Sequence, residues 1–156
     1  MMYRLFFIVS VVCLSLNAQA QELKESSVSA GVVNSFRSMY PESYVYEWEW
    51  SKKKQMYEAE FMHRGFKHEA YFTSEGEWLY TEKDMSYRDL SENITKLIES
   101  SEYALWKVDD IKEIINNKKE QFIVVEVEKG KRKVELYFVE NGGSWTMTPQ
   151  ERLKKK

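Results

Sequence analysis

The stretch EAYFTSEGEW (residues 69–78) has a counterpart further along the chain in ELYFVENGGSW (residues 135–145). In each, a Glu-x-Tyr-Phe run enters a glycine turn and leaves through a tryptophan. A period of two puts Glu69 and Tyr71 on one face of a strand and Ala70 and Phe72 on the other. Sliding the chain against itself by 66 residues lays Glu60 on Glu126, Lys67 on Lys133, Glu69 on Glu135, Tyr71 on Tyr137, Phe72 on Phe138 and Gly76 on Gly142. Trp78 meets Trp145 after one inserted residue, and upstream a shift of 62 lays Val28-Ser29 on Leu90-Ser91 and Phe36 on Ile98. The sequence predicts one structural unit written twice.

Each copy opens with a helical pattern. Val28, Val32, Val33, Phe36, Met39 and Tyr40 fall on one side of a 3.6-residue helix that Tyr40-Pro41 stops, and Leu90, Ile94, Leu97 and Ile98 make the matching stripe. Ser26, Ser27 or Ser29 is placed to cap the first helix, and Asp89 or Ser91 the second. The period then changes to two. YVYEWEW (44–50), QMYEAEF, FKHEAYF and EWLYT read as four strands, followed in the second copy by a bulged strand in YALWKVDDIKEII and by QFIVVEV, RKVELYF and SWTMT. Glycines at 65, 76, 130, 142 and 143 punctuate the hairpins. Comparing the copies predicts that Tyr57, Ala59, Phe61, His68, Ala70 and Phe72, with Ile123, Val125, Val127, Val134, Leu136 and Phe138, face the helices. Glu58, Glu60, Lys67, Glu69 and Tyr71, with Val124, Glu126, Lys133, Glu135 and Tyr137, face away.

The first twenty residues lie outside this scheme. One positive charge at Arg4, an apolar run from Leu5 to Leu16 and Ala18-Gln19-Ala20 have the form of a secretory signal peptide, with the mature chain beginning at Gln21. The apolar run is shorter than the ~20 residues a membrane-spanning helix needs, so no transmembrane segment is expected. Cys13 leaves with this segment, which removes thiolate and disulfide chemistry from the mature chain. Without Arg4 the balance is 22 basic against 25 acidic side chains, and a short basic cluster, Lys154-Lys155-Lys156, ends the sequence. A nucleic-acid partner calls for a basic stripe that this chain does not have.

The helix ending in Tyr-Pro, Val45 with Trp48-Glu49, YEAEF, the glycine turn, EAYF and the Gly-x-Trp-Leu hairpin together resemble the PepSY-like, beta-lactamase-inhibitor-protein-like family of secreted bacterial proteins. The resemblance implies an α+β fold: a tandem repeat of one helix followed by a four-stranded antiparallel sheet, the helices on one face of a shared sheet. A signal peptide (1–20) and a short lead (21–27) would precede repeats at 28–83 and 84–148, with a disordered basic tail at 149–156. It also implies periplasmic or secreted residence. The family inhibitor binds a beta-lactamase through its concave sheet, but fold alone fixes no activity.

Catalysis finds little support in the residues. The mature chain has no cysteine, and its histidines, His63 and His68, sit around one hairpin with His68 turned from the glutamates that would complete a metal site. Glu60 and Glu69 are better placed to pair with Lys67 across strands than to exchange protons with a substrate. No cofactor is expected. Aromatic content is what stands out, with twenty Phe, Tyr or Trp after residue 20, more than two short helices can cover. The sequence therefore predicts a non-catalytic module that binds a protein or peptide, in the manner of an inhibitor or modulator of an envelope enzyme, through the helix-free sheet face. Tyr71, Tyr137, Glu69 and Glu135 would line that face, with Trp48, Trp50 and Trp78 as apolar anchors. The competing reading is an envelope protein sensing a small molecule or metal in a crevice between the repeats. Intact mass of the secreted protein should correspond to a chain starting at Gln21; recovery of the full-length chain in the membrane fraction would contradict export with cleavage.

Overall fold

The computed structural model describes residues 20–152, so the expected signal segment up to residue 19, with Cys13, and the lysine cluster at 154–156 lie outside the described residues. Among the described residues, nine strands form one antiparallel sheet in chain order: β1 (Ala20–Leu23), β2 (Val45–Ser51), β3 (Met56–His63), β4 (Phe66–Thr73), β5 (Trp78–Asp84), β6 (Lys107–Asn116), β7 (Gln121–Lys129), β8 (Arg132–Asn141) and β9 (Ser144–Arg152). Helix α1 (Ala30–Met39) joins β1 to β2, and α2 (Glu92–Glu99) joins β5 to β6. Neither helix is long and apolar enough to cross a membrane.

This corrects the expected α+β class. The chain is predominantly β, with α-helices of only 10 and 8 residues, and its strands do not divide into two four-stranded sheets. β5 pairs with β6 through Tyr80–Asn116, Thr81–Ile115, Glu82–Ile114, Lys83–Glu113 and Asp84–Lys112, so the ladder crosses the middle of the chain without interruption. A further strand, β1, pairs Gln21–Leu23 with Trp50–Trp48. At the other edge β9 continues through Pro149 to Arg152, so the expected tail begins as strand. Backbone hydrogen bonding explains the outcome: leaving β5 and β6 as edges would strand a row of amides and carbonyls that an antiparallel neighbour satisfies.

Local signals in the sequence set the element ends. Ser29 and Ser91 are the two N-caps, their hydroxyls accepting from the amides of Val32 and Ile94. At the β8–β9 turn Gly142 and Gly143 both hold positive φ, as a two-residue turn compatible with strand twist requires. A bulge between Val108 and Asp110 breaks the period of β6, as the irregular stretch there foretold, and a second lies between Val45 and Glu47 in β2.

One face of the sheet carries both helices. Val32, Val33 and Phe36 of α1 pack on Trp48, Ala59, Phe61, Ala70 and Phe72. Ile94 and Ile98 of α2 pack on Ile123, Val125, Leu136 and Phe138. The α1 contact is unusually close at the β4–β5 turn. A Cβ added to Gly31 would lie 2.8 Å from the Glu75 carbonyl oxygen, and one on Gly76 would lie 2.6 Å from the Gly31 carbonyl carbon. Ser35 Oγ donates to the Gly76 carbonyl at 2.6 Å, which locks the approach. Alanine ordinarily favours a helix over glycine by ~1 kcal/mol, but at Gly31 this backbone contact reverses the sign. Gly31→Ala should lower stability in a urea melt by about 1–3 kcal/mol, the cost of overpacking; an unchanged or higher midpoint would show that the helix is not seated on this turn.

Candidate functional site

The face away from the helices is built by register. Glu47, Glu60, Glu69 and Glu82 stand opposite one another on β2, β3, β4 and β5, and the row continues into Ile114 and Phe122. One step along the strands lies a second row of Glu49, Glu58, Tyr71 and Tyr80. Like charges directly opposite each other in a sheet repel, and cations relieve part of that repulsion. Lys67 Nζ lies 2.7 Å from Glu60 and 3.1 Å from Glu69. Lys112 arrives from β6 and places Nζ 2.7 Å from Glu82 and 3.1 Å from Glu69.

Burial makes these pairs matter. Glu82 is 2% exposed, and Glu69, Ile114 and Val124 are also buried although both described α-helices pack on the other face. Exposure rises outward to half-buried Glu58 and Glu60 and to exposed Tyr46 and Met62. Burial pushes the Glu69 carboxyl up, but Lys112 and Lys67 outweigh it and hold the group below the ordinary range. In Lys112 the carboxylates of Glu82 and Glu69 likewise overcome burial and raise the ammonium pKa. Glu58 has no lysine. Burial, with Glu69, Glu49, Glu60 and Glu82 around it, pushes its carboxyl up to about 7. Glu49 is raised for the same reasons, with Glu47 the strongest of its neighbours.

Tyrosines complete the surface. Tyr71 donates from its hydroxyl to Glu69 at 3.1 Å and stacks on Tyr80 with ring centroids 4.4 Å apart. Tyr137 donates to Glu135 at 2.7 Å. The β2 bulge brings Tyr46 onto this side, where its hydroxyl reaches Glu60 at 3.3 Å. In the β6–β8 region the charges are more evenly matched. Lys133 contacts Asp109 at 2.6 Å and Glu126 at 2.5 Å, and Lys107 bridges Asp109 to Glu128. Hydrogen bonds from Lys133 and Lys107 hold the Asp109 carboxyl down to about 2.

Of the residues singled out from sequence, Tyr71, Tyr137, Glu69 and Glu135 are on this face, in the pairs just described. The three tryptophans are not. Trp48 is 3% exposed in the core under α1, Trp50 packs on Tyr57, and Trp78 packs against the same core while donating to Thr81 Oγ1 at 3.0 Å. Tyr71, expected on the open face, is nonetheless only 6% exposed, because Tyr80 covers one ring face. Sequence reasoning missed Tyr46, Met62, Glu82 and Lys112. Alternation along EWLYTEKD could have assigned Glu82 to this face, but Lys112 depends on β6 lying beside β5.

Among the described residues, Glu58, Glu60 and Glu69 bring carboxylate oxygens within 4.8 Å of one another, a hard-oxygen set of the type that suits magnesium or calcium. The Lys67 ammonium already spans Glu60 and Glu69. The histidines are elsewhere: His63 Nδ1 is 3.1 Å from Ser43 Oγ, His68 Nδ1 is 3.0 Å from the Phe66 carbonyl, and the rings meet edge to face beside Tyr40 and Phe61.

Residues 55–146 match the family model described as "Putative beta-lactamase-inhibitor-like, PepSY-like". Among solved structures, the chain is similar to a BLIP-like protein from Bacteroides fragilis, with a TM-score of 0.68 and 28% identity over 82% of this chain and 89% of that one. A DUF2874 family protein from Bacteroides ovatus gives a TM-score of 0.68 and 24% identity over 78% and 86% of the two chains. A protein from Bacteroides eggerthii, described as among "putative periplasmic proteins", gives 0.67 and 20% over 80% and 88%. The latter two likenesses establish the fold alone. A search of the curated proteins finds no match.

The raised Glu58 pKa has a thermodynamic consequence. A carboxyl that holds its proton more tightly when folded contributes stability that is complete below its unfolded value near 4.5 and is lost as pH rises through about 7. Glu58→Gln removes that loss. At pH 8 the variant should be more stable than the parent by about 1–3 kcal/mol, at ~1.4 kcal/mol per pKa unit, and at pH 4.5 nearly equal to it. Chemical denaturation at the two pH values checks this; a variant destabilised equally at both would show that Glu58 is not held in a repulsive cluster.

Proposed function

The chain belongs to the PepSY-like, beta-lactamase-inhibitor-like family, and on that premise we propose that it is a non-catalytic protein-binding module of the periplasm or the secreted fraction, acting through the helix-free face of its sheet. The observation that carries this reading is the contrast between the two faces. The apolar alternates are sealed under α1 and α2, whereas the opposite face keeps tyrosines and carboxylates in fixed positions with no helix over it. Holding like-charged groups in register lowers stability, and a binding surface gives that cost a purpose. Tyrosine is enriched among residues that dominate interface energetics. The BLIP-like relative supports an inhibitor-type role, and the B. eggerthii relative together with the expected signal segment supports residence outside the cytoplasm.

The reading of a ligand crevice between two units loses its location, because β5 and β6 are hydrogen-bonded neighbours at the place where it would open. Tyr71, Glu69, Tyr137 and Glu135 remain the core of the proposed surface, joined by Tyr46 and Met62 at its rim; Trp48, Trp50 and Trp78 leave the set. Tyr71 is too buried for truncation to report on binding alone, so Tyr46 and Tyr137 are the informative positions.

Affinity capture from the native envelope fraction tests the proposal with Tyr46→Ala/Tyr137→Ala on one face and Arg37→Ala/Leu105→Ala away from it. Loss of anchor tyrosines should weaken capture of the partner about thirtyfold or more, equivalent to ~2 kcal/mol, while the second variant retains it. Retention by the tyrosine variant with loss in the other would move recognition off the open sheet face.

A further inference from the structure

The open face has a strong sign of charge. Six carboxylates, Glu47, Glu49, Glu58, Glu60, Glu69 and Glu82, occupy adjacent register positions on β2–β5, and two ammonium groups, Lys67 and Lys112, stand among them. Both lysines lean toward Glu60, Glu69 and Glu82. Glu47, Glu49 and Glu58 have no ion pair among the described residues. Beside this row, on the same side, Tyr46 is 49% and Met62 51% exposed, and Tyr44, the residue before β2, is 79% exposed. The surface thus combines uncompensated negative charge with an apolar shoulder.

We infer that the partner of this face is a basic, extended protein segment that lies along the Glu47–Glu60–Glu69–Glu82 row, its Lys or Arg side chains supplying the cations that Glu47, Glu49 and Glu58 lack while an apolar neighbour rests on Tyr46 and Met62. The inference rests on the helix-free face being the binding surface and adds the chemistry of what it takes. Adjacent strands lie about 4.8 Å apart, so four strands carry the row across roughly 14 Å. Alternate side chains of an extended segment are about 6.7 Å apart, so two or three basic residues at i, i+2 and i+4 match that length. The segment crosses the strands rather than extending the sheet, which distinguishes it from strand addition at β1 or β9. Its charges neutralise repulsion between Glu49 and Glu58, neither of which has an ion-pair partner among the described residues. Arginine suits the row better than lysine, because its planar fork can hold two carboxylates at once.

A fluorescein-labelled twelve-residue peptide alternating Arg and Val, with a Glu-for-Arg counterpart, provides the test by anisotropy on the purified protein. The Arg peptide should bind, lose about tenfold or more in affinity between 50 and 500 mM NaCl as screening shortens to a few ångströms, and the Glu peptide should not bind. Glu49→Gln/Glu58→Gln and, separately, Tyr46→Ala should each weaken binding about fivefold or more, whereas Glu92→Gln/Glu99→Gln on α2, with the same change in net charge, should not. Equal effects of the two double variants would reduce the interaction to net charge and overturn the inference. Self-association abolished by deleting residues 153–156 would assign the face to the lysine tail of a second copy and overturn it equally. If capture of the envelope partner depends on Tyr46 while the Arg peptide does not bind, the basic character of the partner falls and the face stands. If capture ignores Tyr46 and Tyr137, the face itself falls.

Discussion

A carboxylate that is 2% exposed in the middle of a sheet must be either neutral or paired, and Glu82 is paired with Lys112. The consequence is architectural. Glu82 is on β5, Lys112 is on β6, and the second acceptor of Lys112, Glu69, is on β4, so one ammonium group ties three strands across the place where the chain might have parted into two sheets. Breaking a buried pair by removing one member typically costs several kcal/mol because it leaves an uncompensated charge. The backbone ladder from β5 to β6 supplies the continuity, and Lys112 makes the acidic side of that continuity tolerable.

The two faces meet the same requirement, removal of unsatisfied groups from solvent, by different chemistry. On the helix side, interlocking rings do the work: Phe36 meets Trp48 and Phe61 edge-on at 5.8 and 4.9 Å, and Phe72 and Phe138 are wholly enclosed. One polar atom remains orphaned there, Trp48 Nε1, which is buried with no hydrogen-bond partner among the described residues. The other face buries polar groups instead and must satisfy each of them, which is why Tyr71, Glu69, Lys67 and Lys112 form a connected network rather than a set of independent pairs. Glu58, in the same region and without a lysine, shows where that network stops.

Much of this was legible in the sequence, for identifiable reasons. Alternation in EAYF and ELYF assigns Phe72 and Phe138 inward and Tyr71 and Tyr137 to the opposite face, since side chains on a strand must alternate. Short polar side chains before each apolar helical stripe offer Ser26, Ser27 or Ser29 and Asp89 or Ser91 as caps, because first-turn amides need an acceptor, and Ser29 and Ser91 are the ones used. The broken period in KVDDIKEII announces a bulge, and paired glycines announce a tight turn. All of these depend on interactions within a few residues or between hairpin neighbours.

What the sequence left open was decided by lateral contact. Parity along a strand says which residues share a face, but it does not say which strand lies alongside, whether β5 and β6 close into one ladder, or how far the sheet curves. Tyr71 is buried because Tyr80 of the next strand stacks on it, not because of anything in EAYF. Trp48 faces the helix because the β2 bulge shifts the phase of YVYEWEW, sending Tyr46 to the acidic side. Glu82 has its ion-pair partner because β6 delivers Lys112. The sequence alone determined strand periodicity, turns, caps and the inward aromatic set; only the tertiary structure determined the single nine-stranded sheet and the ownership of its buried charges, because those rest on contacts between strands that are distant in the chain.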